Sequence, residues 1–95
     1  MVAYLISEID VTDAAAYEPY KKAASESIAK HGGKYVVRGG KTLALEGAAP
    51  KRIIVLEFPT LEAAKRFHES PDYQASIPLR KKAAASSRLY IVEGQ

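Results

Sequence analysis

Apolar residues fall at nearly every position between Val2 and Val11. A strand there would point Ala3, Leu5, Ser7 and Ile9 one way and Tyr4, Ile6, Glu8 and Asp10 the other. The same two-sided character returns in Arg52 to Phe58, where Ile53 and Val55 alternate with Ile54, Leu56 and Phe58 and only Glu57 interrupts. Pro59 ends that run, because proline cannot donate to a sheet ladder. Between the two strands the period lengthens. After the turn residues Thr12 and Asp13, Tyr17, Tyr20, Ala24, Ile28 and His31 recur at helical spacing. Pro19 falls inside this pattern, where an interior proline costs about 3 kcal/mol. The spacing therefore predicts a short turn over Asp13 to Tyr17, then a main helix with Pro19 near its start and Gly32-Gly33 at its end. Lys34 to Arg38 reads as the second strand, and Gly39-Gly40 predicts a return into Lys41 to Glu46 as a short hairpin or bulged extension. Thr60 and Glu62 open a helix that runs to Glu69. Pro71 and Pro78 then predict two short helical pieces before a last strand, Arg88 to Glu93.

Strand, helix, strand, strand, helix, strand is the order of the ferredoxin-like βαββαβ arrangement, an α+β fold on one antiparallel sheet, here a single domain over residues 1–95. Right-handed crossovers put both helices on one face of the sheet. The opposite face has no internal cover, yet Ile53, Val55 and their neighbours are apolar on that parity too. For a chain of 95 residues the simplest cover is a second copy, so the pattern predicts a homodimer through the sheet face, a dimeric α+β barrel.

Composition narrows the field. With 47% hydrophobic residues and no apolar run of membrane-spanning length, neither disorder nor a membrane span is expected. The sequence has no cysteine, hence no disulfide framework, no thiolate nucleophile and no thiolate metal site. Glu8 and Asp10 stand where a signal peptide would be apolar, and together these features fit a cytoplasmic protein. A net charge of +3 arises from scattered groups such as Lys21-Lys22, Lys65-Arg66 and Arg80-Lys81-Lys82, interleaved with acids. That is a solvated surface rather than the dense basic stripe of a nucleic-acid binder.

YVVRGG from Tyr35, Glu46-Gly47, the segment from Arg52 to Arg80 and the closing IVEG from Ile91 resemble the family called domain of unknown function 1330. The resemblance spans nearly the whole chain. It implies a dimeric α+β barrel in which two ferredoxin-like subunits face their sheets together, with a pocket between sheet and helices. Relatives in the wider superfamily include cofactor-independent monooxygenases, muconolactone-type isomerases, haem-dependent enzymes and regulator domains, so the resemblance implies a fold and a dimer, not a reaction.

Five residues are candidates for a site. Arg38 ends a strand ahead of two glycines, where its guanidinium could grip a carboxylate at a pocket mouth or simply face solvent. Arg80 could fix an anionic substrate or pair with Glu57 or Asp72. Glu57, alone in an apolar strand, is either a general base or half of a structural ion pair. His68, sharing a helix face with Leu61 and Ala64, could move a proton near neutral pH or be an ordinary helix residue. Tyr73 is the tyrosine, among six, expected to line the pocket. His31 and His68 have no metal-ligand spacing, Ser7, Ser70 and Ser76 no triad partners, and Gly39-Gly40 no phosphate-loop context, so no cofactor is expected. These readings converge on a homodimer that holds a small anionic or phenolic molecule, with Arg38, Tyr73 and Arg80 binding it. In a catalytic version Glu57 or His68 shuttles a proton in cofactor-independent proton-transfer or oxygenase chemistry. The alternative is a non-catalytic ligand-sensing or dimerisation module.

Overall fold

β1 (Ala3–Val11) buries Ala3, Leu5, Ser7 and Ile9 and leaves the residues between them half-exposed, as its alternation predicts. It is a central strand of a four-stranded antiparallel sheet in the order β2-β3-β1-β4, with β2 at Lys34–Arg38, β3 at Arg52–Phe58 and β4 at Ala84–Glu93. Leu5 sits opposite Leu56 on one side and Ile91 on the other, so all three point toward the helices. The computed structural model describes residues 1–95.

Three helices cover that face: α1 (Ala14–Lys30), α2 (Leu61–Glu69) and α3 (Pro71–Ala83). Asp13 caps α1 by accepting from the Ala16 N–H at 3.0 Å, and Thr60 caps α2 by accepting from Ala63 at 3.0 Å. Beyond His31, Gly32 takes φ +79, and the Gly33 and Gly32 N–H groups close a Schellman turn on Ile28 and Ala29. Ser70 serves two helices. Its hydroxyl donates to the Phe67 carbonyl at 2.6 Å, ending α2, and accepts from the Tyr73 N–H at 3.4 Å, starting α3.

Four expectations are corrected. α1 is one continuous helix with Pro19 inside it, because Tyr17 and Tyr20 on either side are both buried and their packing outweighs one missing hydrogen bond. Pro78 likewise lies within a single α3, and β4 begins at Ala84 rather than Arg88. The segment from Lys41 to Glu46 forms no hairpin: residues 40–51 make none of the loop backbone bonds, and Leu43 and Leu45 are 83% and 87% exposed.

The core between the layers is aromatic. Phe58, Phe67 and Tyr73 stack in sequence at centroid spacings of 5.3 and 4.6 Å, with Tyr20 edge-on to Tyr73 at 6.3 Å. The other face of the sheet carries no helix. Ile6 lies between Val55 and Tyr90, and Tyr4 between Glu57 and Val92, with Tyr90 and Val92 both exposed. No helix is long and apolar enough to cross a membrane.

Candidate functional site

A narrow slot opens between α1 and the sheet. Its floor is Leu5, Ser7 and Ile9 of β1 with Ile54 and Leu56 of β3, and its far end is Phe67 and Tyr73. α1 contributes Tyr17, Tyr20 and Lys21, while Arg38, Tyr35 and Arg52 come from β2 and β3. Four of the six tyrosines therefore face one space. Of its 15 lining residues three are cationic and none is Asp or Glu, so the slot is electrostatically biased toward anions. The centre of a water molecule can range over about 30 Å³ there, against roughly 150 Å³ for a cavity that admits benzene. A ring-sized guest would have to move the partly exposed Lys21 and the exposed Arg38.

A β-bulge brings Arg38 to this place. Three residues apart on a regular strand, Tyr35 and Arg38 would face opposite ways. The register of β2 shifts between Tyr35 and Val37, so that Tyr35 pairs with Leu56 and Arg38 with Ile54, both on the helix side. Arg38 then stacks on the Tyr35 ring at 4.2 Å and donates to Ser25 Oγ at 3.0 Å, while Ser25 also bonds the Tyr35 hydroxyl at 3.0 Å. Arg52, which composition alone did not single out, stands beside it, 5.6 Å from the Tyr17 ring centre, with its buried Nε lacking any partner. Gly39, at φ +66, makes room for the Arg52 guanidinium, since a Cβ there would collide with it.

At the inner end Tyr73 and Arg80 meet. Arg80 is 5% exposed and has no carboxylate within ion-pair distance; its partners are two phenols. Nη1 donates to the Tyr73 hydroxyl at 2.7 Å and to the Tyr20 hydroxyl at 3.4 Å, and the two hydroxyls are 2.8 Å apart. Neither Glu57 nor Asp72, the acids expected to pair with Arg80, does so. Burial, reinforced by Tyr73, pushes the Tyr20 phenol well above its ordinary range, and burial also raises Tyr17. Burial opposes the Arg80 charge, but Tyr73 and Tyr20 outweigh it, and the guanidinium stays protonated.

Two candidates do not join the slot. Glu57 follows the alternation of β3: Leu56 and Phe58 turn to the helices, so Glu57 turns to the helix-free face, opposite Tyr4 and Lys34. A general base for the slot is thus not found there. His68 is half-buried on α2, its ring 5.5 Å from Tyr73, and borders a separate, more open hollow with Lys65, Glu69 and Leu89. That hollow is larger, about 300 Å³, but its charged groups belong to an exposed helix surface and it has no buried donor. Asp72 instead accepts from Ser27 Oγ at 2.6 Å and lies 3.2 Å from His31 Nε2, tying α3 to the end of α1. No group of three or more His, Asp or Glu side chains is placed to hold a metal ion.

The model of the domain of unknown function (DUF1330) matches residues 2–95. The chain belongs to this family. No curated protein matches its sequence. Among solved structures it is similar to a protein of unknown function from Rhodopseudomonas palustris, at TM-score 0.81 and 20% identity, covering 99% of this chain and 82% of that one. A dimeric ferredoxin-like protein of unknown function from Thermobifida fusca follows the same path at TM-score 0.65 and 15% identity, over 97% and 90% of the two chains. SnoaB, a cofactor-independent oxygenase from Streptomyces nogalater, does so at TM-score 0.71 and 13% identity, over 99% and 93%. Identities this low establish a shared ferredoxin-like fold for this DUF1330 chain and leave its chemistry to its own residues.

Proposed function

We propose that this DUF1330 protein is a homodimer whose subunits each bind a small anionic organic molecule in the slot between α1 and the sheet. The observation that carries this reading is the charge balance of the slot: Arg38, Arg52 and Lys21 line it, Arg80 stands behind Tyr20 and Tyr73, and no carboxylate answers the three arginines. Only Lys21 has an acidic neighbour, Glu18 at 3.1 Å, and that exposed pair is worth little in water. The buried Arg80 guanidinium and the buried Arg52 Nε are costly without counter-ions, and a bound carboxylate would recover part of that cost through charge-assisted hydrogen bonds. Apolar walls supply the rest of the affinity and select a flat hydrocarbon body.

The dimer rests on the apolar helix-free face and on neighbours described as dimeric, from Thermobifida fusca and Bacteroides fragilis. A catalytic version of the slot would use its phenols, since Glu57 and His68 lie outside it; the oxygenase description of SnoaB is the support for that second reading. The test is a thermal-denaturation screen of small carboxylates against matched amines. Benzoate is expected to raise Tm in a concentration-dependent way, benzylamine not, and Arg38→Ala to weaken the benzoate effect by about tenfold in concentration, the scale of one charge-assisted bond. Equal response to the amine would refute the anion preference.

A further inference from the structure

The inner end of the slot holds an odd proton. Arg80 Nη1 carries two hydrogens, and both point to phenol oxygens, at 2.7 Å on Tyr73 and 3.4 Å on Tyr20. The two hydroxyls bring two more hydrogens, and the 2.8 Å bond between them uses one. The remaining phenolic hydrogen has no acceptor among the protein groups. The geometry allows either hydroxyl to be the donor, and the neighbouring cation decides between them. Tyr73 takes the short bond from the guanidinium, which draws electron density from its oxygen and makes it the better donor. Tyr73 therefore donates to Tyr20, and Tyr20 keeps the hydrogen that is unspent. Both rings line the slot, and the cation behind them is nine-tenths buried with its Nε unpaired.

We propose that Tyr20, Tyr73 and Arg80 form an oxyanion site at the inner end of the slot, and that the ligand carries an acidic phenol or enol oxygen which binds there in its ionised form. The assignment rests on the anion-binding reading of the slot and names the oxygen that enters first. Tyr20 donates its free hydrogen to the guest oxygen, while the Arg80 charge, transmitted through Tyr73, stabilises the negative charge in a region without competing carboxylates. Burial above all holds the Tyr20 proton more tightly than in a free phenol, so Tyr20 stays a neutral hydroxyl and the guest is the group that gives up its proton to solvent. Tyr20 and Tyr73 contact the ligand or its immediate donor; Arg80 acts through them and is a positioning residue.

4-Nitrophenol reports its own ionisation by absorbance, so it tests the site without any knowledge of the natural ligand. In the presence of saturating wild-type protein its acid dissociation constant is expected to rise about tenfold or more, the effect of a nearby buried cation plus one hydrogen bond. Tyr20→Phe, which removes one oxygen from a ring that stays packed, is expected to return the dye to its free-solution titration while the protein still unfolds cooperatively. Retention of the full shift in Tyr20→Phe would overturn the assignment to this triad. Benzoate is titrated in parallel. If the wild type binds benzoate but leaves the ionisation of 4-nitrophenol as in buffer, the oxyanion site is refuted and the anion-binding reading stands; if it binds neither, both fall.

Discussion

At the scale of single residues, the arrangement turns on where charges find partners. Asp72 is well served: the Ser27 hydroxyl above all, with Ser70 and His31, holds its carboxyl far below the usual range although burial pulls the other way. A carboxyl lowered in the folded state stabilises fully above its unfolded value of 3.8, and that contribution is lost as pH falls below it. Asp72→Asn is therefore expected to lower Tm at pH 7 and to flatten the decline of Tm between pH 4 and pH 2, measured by a melting series across that range. Arg80 is the opposite case, a buried charge whose partners are only phenols. Little of this was legible beforehand. Tyr73 could be assigned to the pocket from its place after Ser70-Pro71, but a sequence does not show that an arginine seven positions on will meet tyrosines rather than acids. For Glu57 the alternation of its own strand held the answer: any residue between Leu56 and Phe58 faces away from the helices.

At the scale of elements, propensity and packing compete, and packing wins where aromatic side chains flank a proline. Tyr17 and Tyr20 lock α1 on both sides of Pro19, whose ring is exposed and whose missing N–H leaves the Ala15 carbonyl unbonded along the helix. Pro19→Ala is expected to raise stability by about 1–3 kcal/mol in urea titration, less what the unfolded chain regains in freedom. An unchanged or lower midpoint would mean that the proline fits its place without cost. Strands β2 and β3 were readable to the residue because β-branched runs end at Gly39 and Pro59. The bulge in β2 was not readable, for YVVR is an unremarkable strand sequence, and the shift is set by pairing with β3. That single extra residue places Arg38 beside Tyr35 and gives the slot its mouth.

In the whole molecule the two faces of the one sheet differ in character. The helix side encloses an aromatic core and an electropositive slot; the bare side presents Ile6, Val55 and Val92 with Tyr90, whose hydroxyl donates to Glu8 at 2.6 Å. The apolar character of the bare side was legible from the two-sided strands, and its cover by a second copy belongs to the proposed assembly. In sedimentation velocity the protein is expected to run at twice its 10.3 kDa chain mass, and Val55→Lys, which sets a charge in the middle of that face, to run as a folded monomer. A wild-type monomer at micromolar concentration would contradict the proposed assembly. The most direct test of the account is a crystal structure grown with 4-bromobenzoate, in which the bromine can be located by its anomalous scattering. A bromine peak is expected between α1 and the sheet in every subunit, with the carboxylate bonded to Arg38 or Arg52. A slot left empty at saturating ligand, or bromine found only on the outer surface, would contradict the account.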